Sequence, residues 1–200
     1  MGNFIMALTQ TQILYENRCR QMFVGQTIRG VIYGEVRYFS NEEANSISPK
    51  PYYKSRYKDI DTLDHSVYFK TDHKTIYVFW DNTFKSYGLL SKQIDLNDST
   101  NDYEQKWDVS LEPKWISIIG QKVVGFNIIW EDTATEFPDG LSNVYTSYPQ
   151  TFKILLENGE SIILSAAEFN HNDENEICLS SDNLLITTNV DLAKQLNLIK

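Results

Sequence analysis

The feature that most constrains this chain is that it repeats itself. Phe23-Val24-Gly25-Gln26-Thr27-Ile28-Arg29-Gly30-Val31-Ile32 lines up with Ile118-Ile119-Gly120-Gln121-Lys122-Val123-Val124-Gly125-Phe126-Asn127, at an offset of 95 residues. Two glycines and a glutamine coincide, with apolar residues between them. Gly88-Leu89-Leu90 matches Asn183-Leu184-Leu185 at the same offset, and Gln93-Ile94-Asp95-Leu96 matches Asn189-Val190-Asp191-Leu192 one residue further on. Between these blocks each half carries an apolar, alternating pair of segments around a turn, at Asp72-His73 in the first half and Asn158-Gly159 in the second. There the offset falls to 86, so the first half has the longer loop before its hairpin and the second the longer loop after it. Length differences of this kind belong in surface loops. Matched blocks in one order and near one spacing are the mark of an internal duplication. The chain is therefore expected to hold two copies of one unit, over 7–96 and 110–200. A polar linker at 97–109 joins them, and the two units are free to pack as a single domain.

Each unit reads as a helix followed by strands. Residues 11–24 place Ile13, Leu14, Arg18 and Met22 at helical spacing, with Gly25 as the C-terminal stop. The second helix is shorter: Ser110 suits its cap, Glu112 and Pro113 its first turn, and Gly120 its end, with Trp115, Ile118 and Ile119 facing a sheet. Strands follow at 27–39 and 123–130, each with an interior glycine, Gly30 or Gly125, of the kind that marks a bulge or a close backbone approach. A hairpin and a short strand (86–90 or 184–188) complete each unit, and a last helical turn over 191–198 is capped by Asn189 or Asp191. Twelve Tyr, ten Phe and four Trp reinforce the strand bias. The expected class is α+β, strand-rich, with each unit a helix plus an antiparallel sheet that buries one face against its twin.

Charge divides the chain unevenly. The first hundred residues hold 12 Lys and Arg against 11 Asp and Glu, a net +1; the second hundred hold 6 against 16, a net -10. A field of that sign disfavours nucleic acid and anionic membrane and favours a basic partner. No stretch approaches the ~18 apolar residues of a membrane span, and the first residues carry neither the basic nor the apolar region of a secretory signal. The expected compartment is the cytoplasm. Cys19 and Cys178 have no metal or redox spacing and are expected to be reduced, buried thiols.

Candidate sites are few. His65, His73 and His171 lack any ligand-spaced partner on their own elements, and Cys178 reads as a core thiol rather than a nucleophile. No phosphate-loop, dinucleotide, nucleophile-elbow or zinc-protease string occurs, so no catalytic residue, metal or cofactor is expected. Two acidic groups stand out as partner-binding candidates: Glu131, Asp132, Glu136 and Asp139, and then Glu168, Asp173, Glu174 and Glu176. The second lacks the residue order of a calcium loop. A basic, aromatic stretch at 50–58 adds Tyr52, Tyr53, Arg56 and Tyr57, residue types that anchor protein interfaces and could also stack on bases. It has no counterpart in the second half.

Taken together, an acidic half, tyrosine-rich loops and no catalytic group are similar to the immunity-type proteins of bacterial polymorphic toxins, a resemblance of composition across the whole chain. What it implies is a non-enzymatic protein that neutralises a partner by meeting it, often a basic one, with an acidic surface. The alternative is a hydrolase-type enzyme or a ligand-binding protein with a site between the two units, where clefts favour ligands. A deep pocket holding a perturbed His or carboxylate would favour that alternative. The oligomeric state is open.

Overall fold

The computed structural model describes residues 8–37, 53, 57–84, 86–95, 103–136, 143–170 and 176–200, with the backbone alone at 134–136 and 143–145. Helix α1 (Gln10–Phe23) opens on a capping box, in which Gln12 N donates to Thr9 Oγ1 at 3.3 Å and Thr9 N to Gln12 Oε1 at 2.7 Å. It buries Cys19, Met22 and Phe23, with Tyr15 half-buried beside them, whereas Ile13 and Leu14 are exposed. The apolar stripe thus lies one step round the helix from the expected one. Strand β1 (Ile28–Val36) follows, then β2 (Ile60–Leu63), β3 (Ser66–Thr71), β4 (Thr75–Asp81), β5 (Gly88–Ile94) and β6 (Glu104–Asp108). Helix α2 (Pro113–Ile116) leads to β7 (Val123–Glu136), β8 (Asn143–Leu156), β9 (Ser161–Phe169), β10 (Ile177–Thr187) and α3 (Val190–Gln195), which Asn189 caps through Leu192 N at 3.0 Å.

Among the described residues the strands form two five-stranded antiparallel sheets, ordered β5-β4-β3-β1-β6 and β2-β10-β9-β8-β7. The class is α+β, as expected. Within each half a helix is followed by four strands that meander side by side, β1-β3-β4-β5 and β7-β8-β9-β10. Each sheet gains a fifth strand from an unexpected place. β2, from the long loop of the first half, pairs with β10 in the second sheet. β6, from the segment expected to be linker, pairs with β1 in the first. Strands of four and five residues with mixed polarity carry little local signal; a sheet edge in need of a partner recruits them.

The matched Gly-Gln blocks meet each other. Gly25 N donates to Val123 O at 2.9 Å and Gly120 N to Ile28 O at 2.8 Å, while Ile28 N reaches Gln121 O at 3.0 Å and Val123 N reaches Gln26 O at 2.8 Å. Thr27 and Lys122 form the bridge at the centre of this reciprocal set. Gly25 and Gly120 have φ of +88° and +90°, a conformation that favours glycine, and each turns the chain from its helix into its strand. Register shifts follow at the same relative place, between Ile28 and Gly30 and between Val123 and Gly125.

One apolar core lies between the sheets. Phe23 stacks on Phe126 at 5.0 Å, and Phe126 meets Phe152 edge-on at 5.1 Å. Val31, Phe69, Val78 and Leu89 come from the first sheet and Ile154, Leu164 and Ile186 from the second. Trp115 and Ile118 of the α2 region are fully buried among them, and Ile119 packs against the edge. Ser110 does not cap α2. Its Oγ accepts from Val31 N at 2.9 Å, and Glu112 stands at the cap position with its side chain making no capping bond to the helix, which Pro113 starts. The outer face of the second sheet is closed by α3 and the residues after it, with Ala193, Leu196, Leu198 and Ile199 on Ile60, Ile163, Ala167 and Leu185. This double coverage explains why β9 is buried without a break from Ser161 to Ala167. Among the described residues no helix is long and apolar enough to cross a membrane.

The two thiols differ. Cys19 is fully buried, 3.3 Å from Ser91 Oγ, and burial pushes its thiol up. Cys178 is exposed, which corrects the expectation of a core thiol. It lies on the outer stretch of β10, beyond the residues 184–187 that β2 covers.

Candidate functional site

Antiparallel order puts the β7–β8 and β9–β10 connections at one end of the second sheet, because alternate turns of a meander share an end. Of the two acidic groups, Glu131, Asp132, Glu168 and Glu176 stand on or beside the strands that lead into those connections. Glu131 pairs with Tyr148 and Asp132 with Ser147 along β7 and β8, while Glu168 pairs with Cys178 across β9 and β10. Asp132 is exposed and accepts from Ser147 Oγ. Glu168 Oε2 accepts from Asn183 Nδ2 at 3.0 Å, and Glu176, exposed, accepts from Asn170 Nδ2 at 2.8 Å. Burial, reinforced by the Glu131 charge, holds the Tyr148 hydroxyl above its ordinary range. Glu136 contributes backbone at the end of β7. Asp139, Asp173, Glu174, Tyr52, Arg56 and His171 lie outside the described residues.

The aromatic stretch splits. Tyr53 is buried rather than presented to a partner. It meets Tyr33 edge-on at 4.8 Å, and its hydroxyl donates to Glu112 Oε1. Burial and that carboxylate push the Tyr53 hydroxyl up. Tyr57 is half-buried, 5.2 Å from the Phe169 ring, and lines a cleft of about 580 Å³. Here β2, the start of α2 and the two residues after β10 enclose polar groups that lie far apart in sequence. Asp61, only 4% exposed, pairs through Oδ2 with Lys114 Nζ at 2.6 Å and accepts from Tyr33 at 2.8 Å. Trp115 Nε1 donates to that same tyrosine oxygen at 3.0 Å. Burial raises the Asp61 carboxyl above its ordinary range, against the pull of Lys114 and Tyr33 and with a contribution from Glu112.

A second buried carboxylate escaped the sequence reading because it falls in the expected linker. Glu104 accepts from Ser66 Oγ at 2.7 Å, Tyr77 at 3.0 Å and Tyr68, and its Oε1 lies 2.5 Å from His65 Nδ1. Burial alone would raise its carboxyl; the bonds from His65, Tyr68 and Ser66 win and hold it below the usual range. Lys106 sits 5.3 Å over the Tyr68 ring and Lys92 5.2 Å over Tyr77. The alternation of Ser66 with Tyr68 and of Tyr77 with Phe79 was a readable sign that this sheet face carries polar rings. The carboxylate they serve was not readable. Gly34 gives Glu104 its room. An added Cβ there would lie within contact of Ser66 Oγ and 2.8 Å from Glu104 Oε2. Gly34→Ala is expected to lower stability by about 1–3 kcal/mol, measurable as a shift in the urea midpoint with an unchanged m-value.

Comparison with family models, curated proteins and solved structures finds no match for this chain. The assignment of a site therefore rests on geometry. Of the groups described, the acidic sheet end is open and charged, the cleft is concave and mixed in charge, and the Glu104 cluster is closed and internally satisfied. The last is a structural clamp of β6 onto β1, β3 and β4.

Proposed function

We propose that this protein is a non-enzymatic binding module of the immunity type that holds a basic protein partner against the acidic end of its second sheet. The observation that carries this reading is that Glu131 and Asp132 on one hairpin, and Glu168 and Glu176 on another, all lie beyond the β8–β9 pairing, toward the same end of the second sheet. The net -10 of the second half gives that end a long-range field, which speeds encounter with a positive surface and selects against negative ones. Strands on a packed core carry Glu131, Asp132 and Glu168, and Glu176 directly precedes β10, so little ordering entropy is lost on binding.

The test is a capture experiment from the native host, with wild type beside a variant carrying Glu131→Gln, Asp132→Asn, Glu168→Gln and Glu176→Gln. A single stoichiometric partner is expected on the wild type at low salt. It should be lost as salt rises, and weakened at least tenfold in the variant, whose far-UV spectrum should be unchanged. A partner retained equally by the folded variant at every salt concentration refutes the acidic-face reading.

A further inference from the structure

The cleft beside Asp61 has no part in that reading. It lies past the end of β10, at Thr188 and Asn189, whereas the acidic hairpins lie at the other end of the sheet. Its volume, about 580 Å³, is that of a small-organic-molecule site. Three carboxylates line it: Asp59, Asp61 and Glu112. Two lysines line it as well, but they are not equivalent. Lys114 is committed to Asp61 at 2.6 Å with its side chain 12% exposed, while Lys58 is exposed at the rim. The Lys114 ammonium and the Tyr33 hydroxyl both approach Asp61 through Oδ2, which leaves Oδ1 of a side chain only 5% exposed outside those contacts. Asp59 Oδ2 accepts from Asn189 Nδ2 at 3.1 Å. Tyr53 fixes Glu112. The walls therefore carry net negative charge and fixed acceptor oxygens, and Tyr57 adds an aromatic ring against which a flat cation can stack. Among the described residues no three His, Cys, Asp or Glu groups come close enough together to hold a metal ion, so the cation that suits this spread of acceptors is an extended one.

We infer that this cleft is a binding site for a guanidinium group. The group could come from free arginine or a similar small molecule, or from an arginine side chain of a protein. Either source presents a planar fork of N–H donors that reaches several carboxylates at once, which a compact ammonium does not.

Isothermal titration of the purified chain with L-arginine, with L-citrulline, and with a capped Gly-Arg-Gly peptide tests this. Arginine is expected to bind in the millimolar range or tighter. Citrulline, equal in shape but uncharged at its end, should show at least tenfold weaker binding. Peptide affinity equal to or above that of arginine assigns the site to a protein side chain; binding of free arginine alone assigns it to a small molecule. Glu112→Gln and Asp59→Asn, checked for an unchanged melting midpoint, should each weaken arginine at least fivefold. Because either could perturb packing, Lys58→Ala serves as the second arm: it removes only a rim cation and should strengthen binding. Equal responses to arginine and citrulline overturn the inference, as does weaker arginine binding in Lys58→Ala.

Discussion

Glu104→Ala is expected to be among the most damaging single changes in this protein, with a loss of about 3–5 kcal/mol. The carboxylate is 2% exposed, and four side chains from β3, β4 and the turn before β3 converge on it. Removing it takes the acceptor away from the Ser66, Tyr68 and Tyr77 hydroxyls in the interior, and a buried donor that loses its acceptor costs more than its bond contributed. Glu104→Gln keeps the shape and one acceptor oxygen and should lose about half as much. Urea unfolding followed by tryptophan fluorescence reads both. A loss below about 1 kcal/mol for the alanine variant would mean that β6 is held by its backbone ladder to β1 alone. The same carboxylate gives an acid limb to the stability profile. Its folded pKa lies below its unfolded one, so its contribution is present above the ordinary glutamate range and is lost as the pH falls through the folded value. In Glu104→Gln that limb should flatten.

The second large effect is at Lys114. Lys114→Met is expected to cost about 3 kcal/mol at neutral pH, because Asp61 then stays in the interior without its cation. Here the pH dependence has the opposite sign. Burial already raises the Asp61 carboxyl in the wild type, and loss of Lys114 raises it further. A carboxyl raised by folding favours the folded state at acid pH, and that advantage disappears as the pH rises through the folded value. The penalty of Lys114→Met should therefore shrink toward pH 4 and grow toward pH 8. Adding Asp61→Asn should recover most of the loss at neutral pH, a coupling that a double-mutant cycle of melting or urea midpoints measures directly. If the double variant is as unstable as the sum of the single ones, the pair does not act as a pair.

Much of the architecture was legible in the residues. The Gly-Gln blocks marked the two helix-to-strand turns, because a left-handed backbone at Gly25 and Gly120 restricts the residue choice at those points and nowhere nearby. Alternation marked the β3–β4 hairpin, and Asn158-Gly159 marked the turn between β8 and β9, where Gly159 has a φ of +85°. The α+β class followed from these periods. The buried stripe of α1 is not legible in the same way, since Ile13 and Leu14 are as apolar as the residues that do pack, and only the position of the sheets decides which stripe is covered.

The two sites show the other side. Glu131, Asp132, Glu168 and Glu176 were visible as charge, but not that antiparallel pairing would bring them to one end of a sheet. Tyr53 and Tyr57 looked alike in sequence, yet one is buried against Tyr33 and the other lines a cleft. Asp61 with Lys114, and Glu104 with His65, left no local pattern at all. An ion pair or buried hydrogen bond needs only that two groups meet in space, and their separation along the chain is set by the topology that joins them. The sequence by itself determined where the chain turns from helix to strand, the long strands of each half and which half is acidic, because these depend on residue types and on neighbours a few residues away. Tertiary structure alone decided that β2 and β6 would complete the two sheets, and that the carboxylates on and beside them would be buried and paired, because those outcomes depend on edges and cavities that exist only once the sheets have assembled.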